Sequence, residues 1–205
     1  MRRVLVLALS LATACAAVPV SAADGGDTDW PCVQRKVPAL TPAAVWTGPS
    51  LDAAGADWRD DPEVADMVRR LSQRRSALEE AEAEIDTFAA GLEPDESRRL
   101  ILLFAGLFET MNAERGEIIE GIERYARRQR QVAQQVRTMA SEFGALRRDP
   151  AADPDAVARA QTQLEWQTRI FNERRASLPY VCEVPRFVEQ RLFALGRAIA
   201  GAMPD

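Results

Sequence analysis

The chain has 205 residues, carries 26 basic against 31 acidic side chains for a net charge of −5, and contains no histidine. Without imidazole there is no Ser-His-Asp or Cys-His arrangement, no His-containing zinc site and no Glu-x-x-His di-iron pattern. The acidic balance argues against nucleic acid as a partner and against an anionic membrane surface.

Residues 1–23 read as an export signal. Arg2 and Arg3 form the charged start, residues 4–17 the apolar run, and Val20-Ser21-Ala22 or Ser21-Ala22-Ala23 the small residues of a cleavage site. The run is too short to span a bilayer, so a periplasmic location through a cleaved signal peptide is expected. Leu11-Ala12-Thr13-Ala14-Cys15 loosely resembles a bacterial lipobox, with its leucine one place too far from the cysteine. Membrane attachment is expected only if Cys15 is lipidated. Cleavage removes both leader arginines and takes the net charge from −5 to −7.

Residues 24–60 form an extended, Trp/Pro-rich strap. Asp24, Asp27 and Asp29 have the spacing of a calcium loop but lack the glutamate that closes an EF-hand, and no metal is assigned to them. Trp30, Trp46 and Trp58 alternate with Pro31, Pro38, Pro42 and Pro49, and Thr41-Pro42 can open one helical turn. The tryptophans are expected to dock onto the helices as a strap pinned by Cys32; the alternative is a partner-binding segment, for which Trp30 and Trp46 are the candidates. Cys32 pairs with Cys182 in an oxidising compartment, the two being what remains once Cys15 is gone.

Helices are expected at about 61–90, 95–148, 153–177 and 185–203, together forming the helical domain 61–205. Asp61-Pro62 caps the first, which turns Val64, Val68, Leu71, Leu78, Ile85 and Phe88 inward. The second carries a seam of alternating three- and four-residue steps from Ile101 through Phe104, Phe108, Met111, Arg115, Ile118, Ile122, Tyr125, Gln129, Val132, Val136, Met139 and Phe143 to Leu146. That alternation is the mark of coiled-coil packing. Asp153-Pro154 starts the third helix, with Val157, Leu164, Phe171 and Leu178 on its seam. Pro179 ends it, and the last presents Val184, Val188, Leu192, Leu195 and Ile199.

The fold class is therefore all-α: an elongated antiparallel bundle in which one very long helix forms a coiled-coil hairpin arm. Short turns place the first helix back along the long one, with Pro62 near Ile122 and Leu178 near Arg124. Gly116 and Gly121 are the weak points, each costing about 1 kcal/mol relative to alanine in a helix.

No enzyme and no cofactor are expected. The carboxylates Glu79, Glu80, Glu82, Glu84 and Asp86, and the Glu109-to-Glu123 series, alternate with arginines as solvated faces do. Arg115 is read as reaching Glu114 or Glu63. The expected function is that of an interaction, scaffold or chaperone-like protein whose arm engages another envelope protein, with self-association also open. Candidate contacts are Trp30, Trp46, Arg124, Arg127, Arg128, Asp149 and Asp153. The alternative is a compact bundle holding a small apolar ligand among Phe104, Phe108, Met111 and Tyr125.

Overall fold

The structure, a computed structural model, describes residues 29–93 and 96–204. The leader 1–23 with Cys15, residues 24–28 of the acidic loop, and residues 94–95 lie outside the described residues. Every regular element described is helical. Three short 3-10 turns, Pro42–Ala44, Leu51–Ala54 and Trp58–Asp60, precede α1 (Pro62–Leu71), α2 (Leu78–Ala90), α3 (Arg98–Arg148) and α4 (Pro154–Gly201).

α3 has 51 residues and α4 has 48, so each is more than 70 Å long at about 1.5 Å per residue. Their facing residues show that they run antiparallel. Phe104 packs at Gly196, Arg115 meets Glu189, and the Tyr125 hydroxyl donates to the carbonyl of Arg174. α3 passes through Gly116 and Gly121 without a break. Asp153 caps α4 by accepting from the Asp155 amide at 3.1 Å, with Pro154 in the first helical position.

One long α4 replaces the two helices expected at 153–177 and 185–203. Pro179 and Pro185 both lie inside it, although an interior proline removes a hydrogen bond and crowds the carbonyl four residues back. Two features hold the helix through them. Val157, Leu164, Phe171, Leu178, Pro185, Leu192 and Ile199 repeat every seventh residue and are all at least half-buried, so Pro185 itself belongs to the seam. Between the prolines, Cys182 is bonded to Cys32, with Cα atoms 5.6 Å apart.

The helix expected at 61–90 is instead two. Residues 72–77 are polar or small, and the chain turns there. Arg191 of α4 gathers that turn, donating to the Leu71 carbonyl at 3.1 Å, to the Ser76 carbonyl at 3.0 Å and to the Ser76 hydroxyl at 2.8 Å. The turn changes the direction of α1 relative to α3. Asp61 pairs with Arg99 at 2.7 Å, Val68 packs at Gly106, and Arg74 pairs with Glu114 at 2.9 Å. α1 therefore runs parallel to α3, and Pro62 lies near Arg99 rather than near Ile122.

The core is concentrated at one end. Leu100, Leu102, Leu103, Phe104, Leu107 and Met111 of α3 are buried under Val64, Val68 and Leu71 of α1 and Leu192, Leu195 and Ile199 of α4. A stretch this apolar on all sides needs several neighbours, and it has them. Beyond Ala126 the pattern changes: no residue from 127 to 181 is fully buried.

Candidate functional site

The segment 29–60 joins the two ends of this gradient. Asp29 pairs with Arg127 at 2.8 Å and also with Arg130. Lys36 pairs with Glu123, the Val37 carbonyl accepts from Arg115 at 2.7 Å, and the Leu40 amide donates to Asn112 at 3.0 Å. Trp46 then stacks on Phe104, centroids 4.1 Å apart. Each successive contact falls earlier on α3, so the segment follows the long helix downward from Arg130. Trp58 and Arg59 then meet Glu109, back beyond Phe104 on α3.

These contacts redistribute the candidate residues. Trp46 is 9% exposed and its indole donates to the Pro49 carbonyl at 2.6 Å; it is a core side chain, not a contact surface. Trp30 is half-buried and donates to the Gln34 carbonyl. Arg127 holds the Asp29 carboxyl below the usual carboxylate range, with Arg130 adding to the effect, so its charge is committed within the chain. Arg124 pairs with Glu120 at 3.4 Å, one turn away. Arg128 is exposed. At the tip, Asp149 accepts from the Ala151 amide at 2.9 Å and Asp153 caps α4; both are exposed.

Arg115 is the buried charge of the seam, 5% exposed. Its acid is Glu189 of α4, at 3.6 Å, not Glu114 or Glu63, which pair with Arg74 and Arg99. Burial pushes the Arg115 guanidinium below its ordinary value, and Glu189 opposes that shift. Gln129, the other polar seam residue, donates to the Tyr125 hydroxyl at 2.9 Å. Tyr125 and Gln129 line a cleft of about 210 Å³ with Pro31, Phe171, Arg175 and Leu178. This cleft marks the point where the segment 29–60 begins its run along α3.

The proposed ligand-binding quartet is not brought to one cavity. Phe104 and Met111 are fully buried in the core, Phe108 is half-buried against Phe104 at 6.2 Å, and Tyr125 lies four turns further along α3. An open groove of about 690 Å³ lies elsewhere, bordered by Met67, Arg70, Glu84, Phe88, Leu92 and Arg99. Along it Arg70 pairs with Glu84 at 3.1 Å and Arg99 with Asp61 and Glu63. Among the described residues no group of three or more acidic, cysteine or histidine side chains is placed to hold a metal.

No protein-family model, curated protein or solved structure matches this chain. The joined Cys32 and Cys182 are consistent with an exported protein. No helix among the described residues is long and apolar enough to cross a membrane.

Proposed function

We propose that this is a non-enzymatic periplasmic protein, exported through a cleaved signal peptide at 1–23. It works as an interaction or chaperone-like module. Its body is the core around Leu100 to Met111, residues 29–60 are a strap over that body, and the distal parts of α3 and α4 form a two-helix coiled-coil arm. The observation that carries this reading is the switch in burial at Ala126. Val132, Val136, Met139, Phe143 and Leu146 are apolar yet only half-buried, as are Val157, Leu164 and Phe171 facing them.

A helix pair that is apolar along its seam and covered on one side only exists to reach away from its body and present its flanks. The partner is another envelope protein, met by the arm through Arg128 and the tip residues Asp149 and Asp153. Photo-crosslinking in the native envelope tests this. A photoreactive residue at Arg128 or Asp149 yields adducts with a second protein, whereas one at Arg75, exposed on the α1–α2 turn, does not. Identical adduct patterns from arm and body positions, or none from the arm, would sink the proposal.

A further inference from the structure

α4 carries a second apolar row besides the one that α3 covers. Trp166, Ile170, Tyr180, Val184 and Phe187 fall on alternating four- and three-residue steps, with Glu173 and Ser177 at the intervening positions. Trp166, Tyr180 and Phe187 each stand two residues beyond a seam residue, Leu164, Leu178 and Pro185. They are thereby turned about 200° from the seam. The three rings are 57%, 78% and 58% exposed. The next position of the row is Arg191, where the α1–α2 turn takes over this side of α4. The body thus covers the row at one end and leaves Trp166, Tyr180 and Phe187 exposed, with Ile170 and Val184 half-buried between them.

We propose that this row joins two copies of the chain, α4 against α4, antiparallel about a two-fold axis passing between Ala176 and Ser177. The row is complementary to itself in that register. Trp166 of one copy meets Phe187 of the other, Ile170 comes within a residue of Val184, and the Tyr180 hydroxyl faces the Glu173 carboxylate as donor to acceptor. Arg169 comes within a residue of Glu183 of the second copy. The small side chains of Ala176 and Ser177 let the helices approach at the axis. A parallel pairing would instead set Glu173 against Glu173 and Arg169 against Arg169, which like-charge repulsion disfavours. Two-fold association requires this kind of self-complementary patch.

The size of the patch fits a dimer. At roughly 200 Å² per ring, the three exposures amount to on the order of 400 Å² for each copy. That is about half of the roughly 800 Å² per partner of a standard interface, before Ile170, Val184 and the flanking polar groups are added. The contact does not use the arm tip, so it stands or falls separately from capture of an envelope partner.

The test is the mass of the mature, oxidised protein by sedimentation equilibrium. A dimer is expected. Tyr180→Glu sets a carboxylate against Glu173 of the second copy, and because the change counts on both sides it weakens the dimer by about a hundred-fold or more. Adding Glu173→Arg to that variant restores it, since positions 173 and 180 face each other only across an antiparallel axis. Trp166→Arg is an independent second disruption. All these side chains are exposed, so helicity and the disulfide persist in every variant and serve as controls. A monomeric wild type at its solubility limit, a dimer indifferent to Tyr180→Glu and Trp166→Arg, or a double variant that is not rescued would each overturn the proposal.

Discussion

Trp46 lies face to face on Phe104, the rings 13° from parallel, and Gly196 of α4 packs against Phe104 and the Val45 carbonyl. A methyl group at position 196 would stand 2.6 Å from the Val45 carbonyl oxygen and 2.9 Å from Phe104 Cε2. Three parts of the chain therefore meet where only glycine fits. Trp46→Ala should cost about 3–5 kcal/mol in urea unfolding, as large aromatic truncations in cores do. Gly196→Ala should cost about 1–3 kcal/mol through overpacking, although alanine is the better helix former. Unchanged stability in both would mean that the segment 29–60 does not hold this end of the bundle.

Reduction of Cys32 and Cys182 releases a link across 150 residues. The chain-entropy relation gives about 4–5 kcal/mol for a loop of that length, as an upper expectation. The loss should appear as a lower urea midpoint in dithiothreitol. It should also bear on α4 at Pro179 and Pro185, where two helical hydrogen bonds are already missing. Hydrogen exchange from residues 178–190 should accelerate more than exchange from the start of α3.

The long helix was legible because its signal is local. Every stop of the three-four seam from Ile101 to Leu146, including Arg115 and Gln129, is at least half-buried. The burial of Phe104, Phe108 and Met111 follows from the same pattern. Two features were hidden by distance. The step from Leu71 to Leu78 is one heptad, so periodicity runs straight across a turn that Arg191 holds from 120 residues away. Pro179 reads locally as a helix end, and only the seven-residue repeat from Val157 to Ile199 outweighs it. Docking of Trp46 on the helices was one of the two readings open for the tryptophans, but its seat on Phe104 and the pairing of Arg127 with Asp29 depend on where the segment 29–60 crosses α3.

Arg191 is half-buried, and that burial pushes its guanidinium below its ordinary value. A guanidinium stays charged in proteins, and this one terminates α1 by donating to the Leu71 carbonyl, which the helix leaves without an internal donor. Arg191→Lys should lose most of this, since an ammonium cannot span the Leu71 and Ser76 acceptors as a planar fork does. A loss of about 1.5–3 kcal/mol is expected from charge-assisted hydrogen bonds, with Arg191→Met no worse than about the same range. If lysine proves as stable as arginine, the turn is held by its own residues.

Asp61 supplies a pH dependence with a definite sign. Its hydrogen bonds with Arg99, followed by those from the Val64 and Glu63 amides, hold its carboxyl below the usual carboxylate range. A carboxylate favoured in the folded state stabilises the protein fully above its unfolded pKa of about 3.9, and the gain is lost as pH falls through the lower folded value. Asp61→Asn keeps a capping oxygen but loses the charge, and should cost about 1–2 kcal/mol at neutral pH. The gap between variant and wild type should be flat from neutrality down to about pH 5 and narrow below about pH 4. A gap that widens in acid would contradict this assignment.

Gly116 and Gly121 lie inside α3 with room to spare. A methyl group at Gly116 would have no neighbour within 4 Å, and one at Gly121 would meet only an Arg124 nitrogen at 3.7 Å. Neither glycine is needed for close approach or for an unusual backbone angle, so each contributes only its entropy cost to the helix. Gly116→Ala and Gly121→Ala should therefore each stabilise the protein by about 0.5–1 kcal/mol. Scattering from the double variant should give the same maximum dimension as the wild type, because a helix that is already continuous has nothing to straighten. If the substitutions lengthen the particle, or lower its stability, then these positions bend in solution, and α3 is hinged short of Ala126.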